Sequence, residues 1–266
     1  MPRAIWSGTI SFGLVNVPVK LYSATRSKDV RFNQLHARDG SRIQVRRFCA
    51  AEGVEVPAEE IVRGYEVRPG EYVTVTDEEL AGLAPELTEG IEIQEFVELR
   101  EIDPVYFEHS YYLAPDKGGQ KAYALLRQAM EESQRVAIGR VVMRGREYLT
   151  AIRAAGPALV MSTLYYADEV VPVTELEGLP GETVRATERE VAMAQQLIEA
   201  LAAPFEPEKY RDEYREAVLQ LIEEKAAGKT VVPMAPKRAE AAPPVDLVKA
   251  LEESIALAKE RAKRTA

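Results

Sequence analysis

The segment R-S-K-D-V-R-F-N-Q-L-H-A-R-D-G-S-R-I-Q-V-R-R, residues Arg26–Arg47, has the pattern of two extended arms joined by a turn. Four apolar residues alternate with polar or basic neighbours, as in a strand with one sheltered face: Val30, Phe32, Ile43 and Val45. Between the arms, Asp39-Gly40 is a pair suited to the positive φ of a hairpin turn. The segment therefore predicts a two-stranded ribbon rich in arginine.

Positive charge is concentrated around this ribbon. The window Lys20–Arg47 contains eight basic and two acidic residues, whereas the whole chain carries a net charge of −9, which leaves −15 for the remainder. A local basic surface of this kind fits a phosphate backbone, and the acidic remainder discourages other contacts with a polyanion. The alternative is a solvated hairpin whose arginines have no specific partner.

Length and composition indicate a folded protein of one large or two smaller domains, since 46% of its 266 residues are hydrophobic. No apolar run approaches the roughly 18 residues of a membrane span, and the N-terminal residues lack the pattern of a signal peptide. The single cysteine, Cys49, excludes an internal disulfide, as is typical of a reducing compartment. We therefore expect a cytoplasmic, nucleoid-associated protein that does not bind membranes.

An enzymatic function has little support in the sequence. It contains no G-x-S-x-G elbow, Walker loop or dinucleotide-binding fingerprint. His36, Cys49 and His109 are spaced unlike the ligands of a tetrahedral zinc site, and no further soft ligand is present. We expect a protein without catalytic activity, metal or cofactor.

Periodicity predicts a mainly β protein with helices, of the α+β class. In Ile5–Tyr22, alternating apolar residues predict two short strands joined around Asn16. Later segments with strand patterning are 72–75, 91–99, 105–113, 136–143, 147–154 and 157–166. A helix is predicted over 120–132, and capping boxes at Thr76/Glu79 and Thr187/Glu190 indicate the first residues of two more. The helix after Thr187 has one apolar stripe, formed by Val191, Ala194, Ile198 and Leu201, and a further helix is predicted from Pro207 to about Ala227.

Six segments carry a resemblance to a known family: I-W-S-G-T-I-S-F-G-L-V-N-V-P-V-K-L-Y (5–22), R-F-N-Q-L-H-A-R-D-G-S-R-I (31–43), E-E-I-V-R-G-Y-E-V (59–67), I-D-P-V-Y-F (102–107), K-A-Y-A-L-L-R (121–127) and P-E-K-Y-R-D-E-Y-R-E-A (207–217). Their order and content resemble the prokaryotic Ku family of DNA end-binding proteins. The resemblance implies a homodimeric ring that threads onto broken double-stranded DNA ends. It also implies recruitment of a multifunctional ATP-dependent DNA ligase, of the ligase D type, for non-homologous end joining.

The resemblance implies a domain organisation as well. A Ku-type β-barrel core would span residues 1–185, with a basic bridge insertion at about 25–68 that arches over the duplex. A helical C-terminal arm would follow at 186–227, then a flexible linker at 228–244 and a minimal partner-docking helix at 245–266. The arm helices either pack on their own barrel or extend around a partner subunit.

We expect the DNA-binding residues to be basic side chains within and beside the ribbon that contact phosphates without reading bases. They are Lys20, Arg26, Lys28, Arg31, Arg38, Arg42, Arg46, Arg47 and Arg63. A second basic set, Arg140, Arg144, Arg146 and Arg153, either faces the same channel or consists of ordinary exposed arginines.

The last predicted helix has an apolar stripe at helical spacing, formed by Leu247, Val248, Leu251 and Ile255. It follows a segment, 228–244, that is rich in Lys, Ala and Pro and reads as a mobile linker. A short amphipathic helix on a tether cannot bury its stripe alone, which favours docking to a partner. The segment P-V-D-L-V-K-A-L (244–251) resembles the motif that Ku homologues present to the ligase.

Two functions of different class remain at this point. The first is sequence-independent binding of duplex ends by a non-catalytic homodimeric adaptor. The alternative is a barrel-type RNA- or chromatin-binding module that uses the basic hairpin. An end-threading ring prefers linear duplex to closed circles, whereas a groove or single-strand binder has no reason to do so.

Overall fold

The computed structural model describes residues 3–83, 90–143, 145–181, 184–228 and 247–265, with the backbone alone for 81, 83, 247 and 259–265. The described residues fall into two compact units. One unit comprises those within 1–28 and 33–173, and the other those within 29–32 and 174–266. The unit with the strands thus ends at Val173, earlier than the predicted limit at residue 185.

Seven strands form a closed barrel: β1 (Trp6–Phe12), β2 (Val15–Ser23), β5 (Gly90–Glu98), β6 (Phe107–Pro115), β7 (Arg135–Met143), β8 (Arg146–Ala155) and β9 (Ala158–Leu164). Around the barrel they follow the order β1-β2-β6-β9-β8-β7-β5. The barrel is closed by the pairing of β1 with β5, which is parallel, and the other neighbours are antiparallel. This architecture confirms the predicted α+β class with a barrel core.

The barrel interior is filled by the apolar residues whose alternation predicted the strands. Side chains point to opposite faces along a strand, so every second residue faces inward. Eleven apolar strand residues of this core are at most 1% exposed: Ile10, Val17, Val19, Leu21, Ile91, Leu113, Ala137, Val141, Ile152, Leu159 and Met161.

The turn between the first two strands lies at Gly13-Leu14, and the prediction that it lies at Asn16 was wrong. Phe12 pairs with Val15 in the ladder, and Gly13 has a φ of 58°. Glycine adopts this left-handed conformation without a steric penalty, so the two-residue hairpin forms there. Asn16 is part of the second strand instead and pairs with Ser11.

Helix α2 (Gln120–Ser133) packs against the barrel through buried Tyr123, Leu126 and Met130. The Tyr123 hydroxyl donates to the Leu113 carbonyl at 2.6 Å and accepts from the Leu159 amide at 2.7 Å. One side chain therefore ties this helix to two barrel strands. Burial raises the pKa of the Tyr123 phenol above its ordinary value.

The second unit contains helices α3 (Glu188–Leu201), α4 (Glu213–Ala226) and α5 (Leu247–Thr265). The predicted capping box at the first residue of α3 is confirmed, because Thr187 and Glu190 bond each other's backbone amides. Hydrogen bonds donated by the Thr187 hydroxyl and, to a smaller extent, by the Thr187 amide lower the pKa of the Glu190 carboxyl. The predicted linker lies, apart from Gly228, outside the described residues.

The helix predicted from Pro207 begins later. Pro207–Lys209 forms a short 3-10 turn, and Asp212 caps α4 by accepting from the Arg215 amide at 2.9 Å. Asp satisfies a free amide of the first helical turn, which Pro cannot do. No helix within the described ranges is long and apolar enough to cross a membrane.

Candidate nucleic-acid interface

The candidate interface lies on a long excursion from the barrel. The chain leaves the barrel after Ser23 and returns at Gly90. Between them are a two-stranded sheet, β3 (Arg63–Arg68) and β4 (Glu71–Val75), and helix α1 (Asp77–Leu83). The predicted insertion at about 25–68 lies inside this excursion, which is longer because it includes the whole β3–β4 hairpin.

The predicted two-stranded ribbon over Arg26–Arg47 was wrong, because the segment contains no regular strand. Its arms meet only near the tip, where Leu35 bridges to Arg42. Phe32 and Val45 are 73% and 88% exposed. Alternation stabilises a long ladder only when one face is buried, and of the four alternating residues Val30 alone is half-buried, while Ile43 is exposed like Phe32 and Val45.

The turn predicted at Asp39-Gly40 does form. Gly40 has a φ of 68°, and the Asp39 carboxylate accepts from the Ser41 amide at 2.9 Å. The same oxygen lies 3.0 Å from His36 Nδ1. The Ser41 bonds, with a smaller contribution from His36, lower the pKa of the Asp39 carboxyl. This network holds the tip of the segment, where Arg38 lies.

A second turn follows the tip and places an acid beside one of the predicted DNA-binding arginines. The Cys49 amide donates to the Val54 carbonyl at 2.9 Å, and the Val56 amide donates to the Arg47 carbonyl at 2.9 Å. This turn brings Glu55 to 2.7 Å from the Arg46 guanidinium. The positive charge of Arg46 is therefore neutralised locally.

Four of the nine predicted DNA-binding residues already have a side-chain partner. Three of them form ion pairs: Arg46 with Glu55, Lys20 with Asp116 at 2.8 Å, and Arg63 with Asp77 at 3.3 Å. The fourth, Arg42, donates a hydrogen bond to Asn33 at 2.7 Å. Asp116 raises the pKa of the Lys20 ammonium through a hydrogen bond and its charge, and Lys20 in turn lowers the pKa of Asp116.

Among the described residues, the other five predicted cations are exposed and have no side-chain ion pair or hydrogen bond. Four of them, Arg26, Lys28, Arg38 and Arg47, belong to the barrel unit. Arg31 lies in the stretch 29–32 that belongs to the second unit and is exposed there. Their charge is available to an external anion.

The described members of the second basic set do not share one face of the barrel. Arg140 is opposite Leu149 and Arg146 is opposite Met143 in the β7–β8 ladder, so the two arginines are on opposite faces. Arg140 lies 3.5 Å from Glu147, and Arg146 lies 3.1 Å from Glu169. Arg153 is exposed, and Arg144 lies outside the described residues.

The hairpin of β3 and β4 exposes apolar side chains on an isolated two-stranded sheet. Tyr65 and Tyr72 are 71% and 61% exposed, and no residue of either strand is buried. Such a hairpin is marginally stable without a surface to pack on. Sequence reasoning predicted β4 but missed β3, although the turn pair Pro69-Gly70 between them is a hairpin signal.

Within the described part of the chain, no group of three or more His, Cys, Asp or Glu side chains is placed to hold a metal ion. His36 is beside Asp39, His109 is 3.3 Å from Glu108, and the Cys49 thiol is half-buried.

A family model described as the Ku70/Ku80 beta-barrel domain matches residues 11–193, which include all but the first residues of the barrel. The chain belongs to the Ku family. The resemblance seen in the sequence is thereby confirmed.

Curated Ku proteins align with nearly the whole chain. The non-homologous end joining protein Ku of Anaeromyxobacter sp. (strain K) is 53% identical over 262 residues, 98% of this chain and 88% of that protein. The protein of the same name from Archaeoglobus fulgidus is 46% identical over 230 residues, 86% of this chain and 90% of its own length. The helical unit is thus part of what this chain shares with Ku proteins.

The predicted docking stripe of this Ku-family chain lies on α5. Val248, Leu251 and Ile255 are half-buried, whereas the Leu247 side chain lies outside the described ones. Further along the helix, Ala258 is 7% exposed. Part of the stripe is therefore already covered, and α5 packs against α3.

Proposed function

We propose that this protein binds the ends of double-stranded DNA without sequence preference and acts as a non-catalytic adaptor in non-homologous end joining. One observation carries the proposal: a Ku-family barrel extends a long segment on which exposed cations have no side-chain partner in the described part of the chain. Lys and Arg head groups on an otherwise acidic chain provide local attraction for phosphates. The names of the curated relatives agree with this role.

The pattern of side chains favours phosphate contacts over base readout. Arginine and lysine bind phosphate oxygens, which carry no sequence information. The side-chain amide oxygen of Asn33 accepts a hydrogen bond from Arg42. This amide is therefore engaged inside the protein and does not face a base. Binding that depends on phosphates suits a protein that must accept any broken end.

We propose that the protein works as a homodimeric ring. Helix α4 has no buried residue, and Tyr214 on its apolar face is 80% exposed. Phe205 and Tyr210, stacked at 5.8 Å before this helix, are also exposed. Together with the exposed β3–β4 hairpin, these surfaces suit a second copy in a two-fold, isologous contact. Closure around the duplex would then retain the protein on an end.

We further propose that α5 recruits a multifunctional ATP-dependent DNA ligase of the ligase D type. The support is its amphipathic stripe and the resemblance of residues 244–251 to the ligase-binding motif of Ku homologues. The contact would use Leu247, Val248, Leu251 and Ile255. Since α5 comes after the complete barrel in the chain, ligase binding and DNA binding use different parts of it.

The decisive experiment compares the binding of linear duplex with that of the same duplex as a covalently closed circle. If the protein threads onto ends, unlabelled linear DNA competes well with a labelled linear duplex for the protein, and closed circles compete poorly. Equal binding to both forms, or a preference for RNA or single strands, would instead support an RNA- or chromatin-binding module. A duplex of equal length whose two ends are closed by hairpin loops is the control for DNA length and charge.

A further inference from the structure

Helix α3 provides a binding surface for this chain's own C-terminal helix. Arg189 at the start of α3 lies 3.5 Å from Glu252 of α5. Further along, Leu197 and Leu201 of α3 face Ser254, Leu257 and Ala258 of α5 across a gap of about 280 Å³. The two helices belong to the same compact unit.

The face of α5 that meets α3 includes the proposed ligase-docking stripe. Val248, Leu251, Ile255 and Ala258 follow one another at three- and four-residue steps, so they share one side of the helix. Each of them is half-buried or buried, whereas Leu257 beside them is 58% exposed. A ligase that takes this stripe would need the same atoms that α3 covers.

On α3, the covered residues differ in part from those predicted. The sequence predicts a stripe of Val191, Ala194, Ile198 and Leu201, of which Ala194 is half-buried and the other three are exposed. The half-buried residues of the structure run through Met193, Ala194 and Leu197. This rotated stripe leaves the Val191 side of the helix available to other contacts while Leu197 faces α5.

The packing between the two helices has the features of a reversible contact. The gap beside Leu197 means that its lining side chains lack partner atoms on one side. The Arg189–Glu252 pair is exposed, and exposed ion pairs contribute little. A contact of this kind holds a tethered helix without making its release slow or costly.

We propose that α3 and the ligase compete for α5, so that α3 holds the docking helix in the free protein and gives it up when ligase binds. This inference rests on the proposed ligase docking of α5. The apparent affinity of the ligase is then reduced by the fraction of α5 that is free: if one molecule in ten has α5 released, affinity falls about tenfold.

The test uses the full-length protein with Leu197→Ala, which weakens the α3–α5 contact without changing α5. Alanine preserves helix propensity, so α3 remains a helix. Gln196→Ala, at an exposed neighbouring position, is the matched control. Two quantities are measured on each protein: the hydrogen-exchange rates of the α5 amides, and the dissociation constant for the purified ligase.

We expect α5 amides to exchange several-fold faster in Leu197→Ala than in Gln196→Ala, and ligase to bind about threefold to tenfold more tightly. Unchanged exchange would show that Leu197 does not hold α5, and faster exchange with unchanged ligase affinity would show that α3 does not compete. Either result overturns the inference. If the ligase does not dock on α5 at all, the result is different. Deletion of residues 229–266 would then leave ligase binding intact, while the exchange rates of the Leu197→Ala and Gln196→Ala proteins would still show whether α3 holds α5.

Discussion

The Arg46 guanidinium donates to the Glu55 carboxylate at 2.7 Å, so this arginine of the basic segment is already neutralised by an ion pair within the protein. Arg38 and Arg47, at the tip and next to Arg46, have no such partner among the described residues. The structure thus divides the basic residues into paired and available ones, although the sequence treats them alike.

This division predicts unequal effects on DNA binding. We expect Arg38→Gln to weaken binding to all duplex sequences and to reduce the slope of log affinity against log salt by about 1. Arg46→Gln should have a smaller effect, because the charge of Glu55 already opposes the attraction of a phosphate. Glu55→Gln should increase affinity. Titrations of one linear duplex at several salt concentrations measure all three, and equal losses for Arg38→Gln and Arg46→Gln would contradict the division.

The salt dependence of the unmodified protein tests phosphate binding as a whole. About six neutralised phosphates imply a loss of affinity of roughly a thousandfold between 50 and 200 mM salt. Duplexes of unrelated sequence and equal length should give the same slope and affinity. A shallow slope or a strong preference for one sequence would show that base contacts dominate.

The dimer is tested at the exposed aromatic face of α4. Tyr214→Asp places a charge in a surface that we propose to be buried between two copies, and we expect it to dissociate the dimer and weaken binding to linear DNA. Gln220→Asp adds the same charge at a polar position of α4 as a control. Light scattering should give twice the chain mass of 29.6 kDa for the unmodified protein. A monomer mass for the unmodified protein without DNA would contradict the homodimer.

The C-terminal helix is expected to be needed for end joining but not for DNA binding. Deletion after Gly228 should leave DNA binding and dimerisation intact and should remove stimulation of the ligase. In the full chain, Leu247→Asp with Leu251→Asp should do the same, because each buried leucine contributes about 1.5–3 kcal/mol to a contact. Glu253→Gln, on an exposed position of the helix, is the control. Full stimulation by the deletion variant would place the ligase contact on the core.

Tyr123 should be important for stability. Tyr123→Phe removes the hydroxyl that bonds the Leu113 carbonyl and the Leu159 amide, and it leaves both of these backbone groups without that partner. We expect the free energy of unfolding to fall by about 1–3 kcal/mol. Denaturant unfolding of the two proteins measures the difference. Tyr112→Phe, at a half-exposed tyrosine of the same barrel, should change stability less.

The same tyrosine gives stability a dependence on alkaline pH. Burial raises the folded-state pKa of Tyr123 above its ordinary value of 10.0. Its contribution is therefore fully present below the unfolded-state pKa and is lost as the pH rises through the folded-state pKa. Unfolding measured from pH 8 upwards should show a steeper loss of stability for the unmodified protein than for Tyr123→Phe.

Local patterns in the sequence were sufficient to predict the barrel strands, two helix caps and the family of this protein. Alternation through Ile10 and Val17 predicted barrel strands because side chains at every second position share a face. The capping boxes at Thr76 and Thr187 were readable because both partners lie within one helical turn. The ordered segments that resemble Ku proteins indicated the family, and the charge distribution led to the prediction of the DNA-binding residues, which stays a prediction.

Only the tertiary structure decided which of these patterns had partners. Lys20 meets Asp116 because β2 and β6 are neighbours in the barrel, and no local signal relates two residues so far apart in the chain. The alternation around Phe32 predicted a strand, yet Phe32 and Val45 remain exposed, so no buried face supports a ladder there. The stripe of α5 looked unpartnered until α3 was seen to cover it. Periodicity records which side of an element is apolar, whereas the folded chain alone determines what that side meets.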